Sequence, residues 1–288
     1  MNVYRSALLC ITIILCATTN SINSKYKCII FDLGGVLIDY DATKLSFDLG
    51  LTDLLLYVTQ EKQNPFKLLT RLLTIMNAHN EQVVQSEQEL ATVLGNVIPK
   101  GLCDLFCGKI SNKAALQQAL DILENPTQLQ EPLSALEKKL LKKLAVALLE
   151  PQFSVNYFKP IESTLRILKQ LSEKRNSNGN PEHTLVILSN WDQESFEKLL
   201  TYHKTKEIFS YFDKKNIFIS AKIGTMKPHS KAFTKTLKKL KVKAHDCIFI
   251  DDQEENIKAA CACGLTCIKI NNKNGKALEQ SLKELGAL

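Results

Sequence analysis

The run Ile29-Ile30-Phe31-Asp32-Leu33-Gly34-Gly35-Val36-Leu37 constrains the fold of this chain more than any other. A short apolar segment rich in β-branched and aromatic residues reads as a strand buried on both faces, as in parallel sheets. The segment ends on a carboxylate and passes at once into a Gly-Gly turn. Asp32 is thereby expected at the carboxyl edge of the sheet, where open α/β folds place their ligands. Two later runs repeat the pattern, Val186-Ile187-Leu188-Ser189-Asn190 and Ile248-Phe249-Ile250-Asp251-Asp252, and Gly224-Thr225-Met226-Lys227-Pro228 lies between them.

From Phe158 onward, strand and helix patterns alternate. The spacing predicts helices over 161–174, 194–202, 228–240 and 254–263, and strands over 183–188, 216–220, 246–250 and 265–270. Such alternation implies an α/β fold, a Rossmann-like parallel sheet with helices on both faces. Between the Asp32 strand and this region the character changes. Phe66, Leu68, Leu69, Leu72, Leu73 and Met76 follow a helical repeat, as do Leu136, Leu140, Leu141, Leu144, Leu148 and Leu149. Asn125-Pro126 and Glu131-Pro132 mark breaks between helices. The expected organisation is a discontinuous α/β core over 25–43 and 155–288, interrupted by an all-α insertion over 44–154.

The chain has 288 residues and a formal net charge of +7. Its basic residues are almost all lysines; only Arg5, Arg71, Arg166 and Arg175 offer a guanidinium fork. Dispersed lysines on helices read as solvated faces, so no nucleic-acid partner is expected. One positive charge and a short apolar stretch, Ala7 to Ala17, suggest a leader over residues 1–22. That stretch falls short of the ~18–20 residues of a comfortable membrane span, so none is expected in the mature chain. The leader would make the protein secreted or periplasmic; a buried first strand in its place would make it cytoplasmic. Seven cysteines beyond Ala17 sit untidily with secretion. Cys103-x-x-x-Cys107 and Cys261-x-Cys263 lack histidines at finger-like spacing, which argues against zinc.

The polar residues at the strand ends carry the chemistry. An ionised Asp32 can act as a nucleophile, and Gly34 and Gly35 allow a sharp turn close to a bound anion. A turn-initiating Asp would look the same. Ser189 and Asn190 suit a phosphoryl oxygen, or alternatively cap the next helix. Lys227, held out of a helix by Pro228, can neutralise a nucleophile and an anionic substrate. Asp251 and Asp252 repel each other unless a cation compensates, and Mg²⁺ is the natural one in a phosphate site. Asp252 can also cap the next helix with Glu255, and Asn256 can orient the pair.

In this order and spacing, FDLGGVL, VILSN, GTMKP and FIDD resemble the four motifs of the haloacid dehalogenase-like hydrolase superfamily, and the helical region resembles its cap. The resemblance spans roughly residues 27–270. It implies Asp32 as nucleophile, Lys227 fixing charge, and Ser189, Asn190 and Gly35 holding the phosphoryl group. It further implies Mg²⁺ bound by Asp32, the Gly34 carbonyl and the pair Asp251 and Asp252, with Asp252 the more direct ligand. The substrate is then a small phosphorylated metabolite of the sugar-phosphate kind.

One position departs from the pattern. Phosphatases of this family usually carry a second Asp two residues after the nucleophile, to protonate the leaving group and activate water. Here that position is Gly34. Three readings follow: a phosphatase in which Asp39, Asp41, a cap residue or the substrate moves the proton; a binding protein for a phosphorylated ligand; or a 2-haloacid dehalogenase. The retained Asp251-Asp252 pair favours the first.

Overall fold

The computed structural model describes residues 24–78, 92–93, 96–97, 99–125, 132–271 and 273–288. The leader expected over 1–22 and most of the break between Asn125 and Pro132 lie outside them. The strands are β1 (Cys28–Phe31), β2 (Ile38–Tyr40), β3 (Thr92–Val93), β4 (Asn96–Val97), β5 (Phe158–Pro160), β6 (Thr184–Ser189), β7 (Ile217–Ile219), β8 (Cys247–Asp251) and β9 (Thr266–Lys269). Five of them form one sheet in the order β7-β6-β1-β8-β9, parallel throughout. β1 is central, and the chain winds outward from it first to one side and then to the other. The carboxyl end of β1 is therefore the point where the winding reverses, which opens a crevice there.

Alternation along the strands divides the core in two. Ile29, Phe31, Ile187, Ile248 and Ile250 face helices Glu162–Glu173, Gln193–Thr201 and Gly275–Glu284. Cys28, Ile30, Val186, Leu188, Cys247 and Phe249 face helices Ser230–Leu240 and Glu254–Ala262. Both faces are covered, which is why the strands read as unbroken apolar runs rather than as alternating ones. Cys28 and Cys247 lie directly opposite each other across β1 and β8, fully buried, and pack as small hydrophobes.

Helices from Ala42–Leu49 to Ala135–Leu149 carry an apolar cluster of their own, including Leu54, Leu72, Ile75, Ala119, Leu141 and Leu144. Asp41, Ser111 and Ser134 start three of these helices by accepting from the amides of Lys44, Ala114 and Glu137. The lysines on Ala135–Leu149 pair locally: Lys138 and Lys142 with Glu124, Lys139 and Lys143 with Asp53. The chain leaves the core along β2 and returns along β5, and the two strands pair antiparallel, Ile38 opposite Pro160 and Tyr40 opposite Phe158.

Two differences from the sequence expectation stand out. The inserted region is not wholly helical, because β3 and β4 pair antiparallel within it over two residues each. Such short strands leave no periodic signal. The chain also ends in a helix, Gly275–Glu284, whose Leu278 and Leu282 are buried against the sheet. A single i, i+4 pair of leucines among polar residues is a weak pattern.

Candidate active site

Register decides which side chains meet. Phe31 lies opposite Ile187 on one side and Ile250 on the other, and Asp32 continues the ladder by donating its amide to the Ile250 carbonyl at 3.0 Å. Asp32 and Asp251 therefore stand at one level at the ends of adjacent strands, with Ser189 one step beyond on the other flank. The carboxylates of Asp32, Asp251 and Asp252 bring oxygens within 4.8 Å of one another. Among the described residues this is the one such grouping of acidic, histidine or cysteine ligands.

Lys227 is inserted into the cluster and is only 1% exposed. Its ammonium lies 2.5 Å from Asp251 Oδ2 and 3.0 Å from Asp32 Oδ1. Burial by itself would lower its pKa, but Asp251 and Asp32 outweigh burial and hold it above the ordinary lysine value. Its loop is anchored by Asn190, whose carboxamide donates to the Lys227 carbonyl and accepts from the Lys227 amide, both at 2.8 Å. Asn190 is thus a clip between two loops. A carboxamide has two N–H groups, so one remains for a ligand.

The two adjacent aspartates are not equivalent. Asp251 Oδ1 accepts from the Gln253 amide at 2.8 Å and from Asn256 at 3.1 Å, while Oδ2 accepts from Asn256 at 3.1 Å and from Lys227. Those contacts fill the four acceptor positions of a carboxylate. Asp251 stays within the acidic grouping expected from the sequence, and its donors from Lys227, Asn256 and the Gln253 amide make it the residue that positions Lys227. Asn256 orients Asp251 alone. Asp252 Oδ1 is buried with no partner. Burial, then the charges of Asp32 and Asp251, push the Asp252 carboxyl up to about 7. Nor does Asp252 cap the following helix, whose N-cap is Gln253.

Gly35 explains how Asp252 fits. Its φ is +74°, and a Cβ there would come within 2.3 Å of Asp252 Oδ2. Its amide donates to the Ile38 carbonyl at 2.9 Å. Gly35 therefore makes room for Asp252 and spends its N–H within the turn, instead of presenting it to a phosphoryl group as expected. Gly34 does line the cavity, and a Cβ there would meet nothing within 4 Å.

The cavity over the cluster has a volume of about 160 Å³ and is lined by Asp32, Gly34, Ser189, Asn190, Lys227 and Asp252, together with Trp191, Gln253 and Asn256. Burial raises the Asp32 pKa and Asp251 adds to the rise, while Lys227 and a hydrogen bond from Ser189 oppose it. Asp32 Oδ1 accepts from the Leu33 amide at 2.7 Å as well as from Lys227, which fixes the plane of the carboxylate. Trp191 was not singled out from the sequence, although it is the chain's one tryptophan and directly follows Ser189-Asn190. Its amide donates to Ser220 Oγ at 2.9 Å, which sets the loop.

Neither nearby candidate for the absent acid reaches this cavity. Asp39 pairs with Lys273, and Asp41 caps helix Ala42–Leu49, its carboxyl held low by the Lys44 amide. Among the described lining residues, Asp32 and Asp252 are the only carboxylic acids.

The haloacid dehalogenase-like hydrolase family model matches residues 26–264, and the chain belongs to that family. Among solved structures, a variant of a family enzyme from Bacteroides thetaiotaomicron, in complex with magnesium and inorganic phosphate, is similar with a TM-score of 0.50 and 15% identity, over 85% of this chain and 94% of that one. A family hydrolase from Porphyromonas gingivalis has a TM-score of 0.42 and 19% identity, over 90% and 99% of the two chains. L-2-haloacid dehalogenase from Xanthobacter autotrophicus, with chloropropionic acid covalently bound, has a TM-score of 0.47 and 13% identity, over 90% and 83%. At these identities the likeness is one of fold. No curated protein matches the chain.

Burial of Lys227 changes what its removal should do. A surface lysine would be lost at the expense of activity alone. Removing one partner of a buried ion pair instead costs about 3–5 kcal/mol of stability. Lys227→Ala is expected to lose that much in urea unfolding near neutral pH. The deficit should shrink as pH falls toward about 5, because protonation relieves the stranded carboxylates. A loss independent of pH would mean that packing, and not charge, holds Lys227 in place.

Proposed function

We propose that the protein is a Mg²⁺-dependent phosphoric monoester hydrolase that forms an aspartyl-phosphate on Asp32. The observation that carries this reading is the buried, unpartnered Asp252 Oδ1 beside two carboxylates already paired with Lys227. One ammonium faces three carboxylates, and the surplus negative charge falls on the residue without a donor. A hard cation with oxygen ligands suits Asp252, Asp32 and the Gly34 carbonyl, with Asp251 behind them. When bound, Mg²⁺ would supply the positive charge that lets a phosphate dianion enter among the carboxylates.

The chain's own groups then divide the work. Ionised Asp32 attacks phosphorus, the bond to the leaving oxygen breaks, and the alkoxide or aryloxide departs. Lys227, the Ser189 hydroxyl and the remaining Asn190 N–H neutralise and hold the phosphoryl oxygens. Water then attacks the aspartyl-phosphate, regenerating Asp32 and releasing inorganic phosphate. Among the described residues lining the cavity, no carboxylic acid besides the nucleophile Asp32 and the metal-facing Asp252 is placed to protonate the leaving oxygen, which takes its proton from solvent. Phosphate release from a panel of esters should require Mg²⁺ and fall to background in Asp32→Asn, which keeps shape but removes the nucleophile. Release that persists in Asp32→Asn would overturn the reading. Gly34 also favours a second reading, a phospho-ligand-binding protein; its mark would be tight Mg²⁺-dependent phosphate binding without turnover.

The open space at Gly34 yields a sharper test. Leaving groups of low pKa depart without protonation, so aryl and acyl phosphates should outpace alkyl phosphates. Gly34→Asp has room for its side chain and should raise alkyl-phosphate turnover by up to the ~10²–10⁴-fold that a general acid contributes. Equal rates for aryl and alkyl esters in the wild type would show that another group supplies the proton.

The raised Asp252 pKa sets a pH dependence. Between the ordinary carboxylate value and about 7, the folded metal-free protein holds a proton that the unfolded chain has released. Its stability from this group therefore falls as pH rises through that window. A cation must displace the proton below the window's upper limit but meets a bare carboxylate above it. Mg²⁺ should raise the thermal midpoint more at about pH 8 than at about pH 5. An equal shift at both would remove Asp252 from the metal site.

A further inference from the structure

Beside the catalytic cavity lies a second one of about 380 Å³, within the range of small-molecule sites, about 300–1,000 Å³. The two share Asn190 and Trp191 in their walls. Leu72, Leu105, Phe106 and Leu149 from the helical region close one side of the larger cavity, and Tyr40, Phe158 and Trp191 line the other. The aromatic side is continuous. Trp191 packs on Phe158 with centroids 5.1 Å apart, and Phe158 on Tyr40 at 5.4 Å. The shared residues place this larger cavity next to the position of a phosphate held over Asp32.

The polar side chains on this wall are largely committed to the protein itself. Ser154 donates to Ser195 Oγ, as does Asn112; Asp192 caps helix Gln193–Thr201; and Asn190 is clipped to Lys227. Tyr40 Oη is buried with no partner. A sugar would bring several hydroxyls against described side chains that are mostly apolar or already partnered, and each buried hydroxyl left without a partner is costly.

We infer that this enzyme acts on phosphomonoesters whose leaving group is predominantly apolar, an aryl or alkyl alcohol seated against Trp191, Phe158 and Phe106, and not on phosphorylated sugars. The inference rests on the hydrolase reading of Asp32 for the orientation of the ester, but the pocket's preference can be measured without turnover. Hydrolysis is as written above: the phosphorus–oxygen bond breaks, the apolar alcohol leaves with a proton from water, and phosphate follows.

The test uses two series. Primary alkyl phosphates from ethyl to hexyl have nearly constant leaving-group pKa, so kcat/KM along them reports the pocket and not the chemistry. It should climb about three- to fourfold per methylene, the ratio set by burying ~0.8 kcal/mol of CH₂ each. Hexyl phosphate should then exceed ethyl phosphate by about a hundredfold, and glucose 6-phosphate should fall well below hexyl phosphate. In parallel, calorimetry with Mg²⁺ and the non-hydrolysable alkylphosphonates should show affinity rising along the same chain lengths. Phe106→Asn, at a half-buried position that threatens folding less than the fully buried leucines do, should cut the hexyl-to-ethyl ratio at least severalfold.

A flat kcat/KM series, or glucose 6-phosphate matching hexyl phosphate, overturns the inference while leaving the hydrolase reading intact. Phosphonate affinity that climbs with chain length, with no ester of any kind hydrolysed, sustains the pocket and overturns the hydrolase reading. Flat phosphonate affinity, with the second cavity filled by the protein's own chain or otherwise closed to ligand, overturns the pocket whatever the turnover.

Discussion

Lys227 and the two carboxylates it joins hold the structure's centre together. Asp32 closes β1, Asp251 closes β8, and each would face an uncompensated neighbour at the same level of the sheet if the ammonium between them were absent. A buried pair of this kind adds little net stability over a well-packed apolar substitute. What it supplies is a place: a lysine that is nearly fully buried can sit only where both partners and its own anchoring loop are correctly placed. The Asn190 clip on the Lys227 backbone ties that loop to the end of β6. Three strand ends and one loop are thereby coupled through a single residue, by its side chain to Asp32 and Asp251 and by its backbone to Asn190.

The same interaction separates two adjacent aspartates into different duties. Asp251 is saturated by donors from Lys227, Asn256 and the Gln253 amide, whereas Asp252 sits against the Gly35 turn with a buried oxygen that none of the described residues satisfies. Stability and ligand reactivity are thus assigned to neighbouring residues. The turn matters as much as the acids, because the positive φ at Gly35 and the missing side chain there are what admit Asp252. Gly34, one residue earlier, leaves open space where an acid could stand. Among the described residues lining the cavity, Asp32 and Asp252 are the only carboxyl groups, and Lys227 faces them.

Around this centre the inserted helices form a separate apolar cluster, joined to the core by the short pairing of β2 with β5. Tyr40 and Phe158, at the ends of those strands, belong both to the connection and to the wall of the larger cavity. The way the insertion is tethered therefore shapes what lies beyond the phosphate. The four lysines of helix Ala135–Leu149 pair locally, Lys138 and Lys142 with Glu124, Lys139 and Lys143 with Asp53.

Much of this was legible before any coordinates. Strands buried on both faces must be apolar at every position, so β1, β6 and β8 were visible as runs, and the polar residue at the end of each marked the sheet's carboxyl edge. The long insertion helices were visible because one face of each repeats every three to four residues. Less regular features were not: β3 and β4 are too short for a period, the final helix buries only a few side chains, and Trp191 is a single residue with no pattern around it. Sequence by itself determined the fold class, the four segments that converge and the chemical character of the cluster, because these depend on local hydrophobic periodicity and on residue type. Only the tertiary structure decided that Asp251 is spent on Lys227, that Gly35 yields to Asp252, that Asp39 and Asp41 are engaged elsewhere, and that the space beyond Trp191 is apolar. Those facts depend on which lone pairs are already occupied and which side chains from distant segments share a wall, and neither is encoded in spacing along the chain.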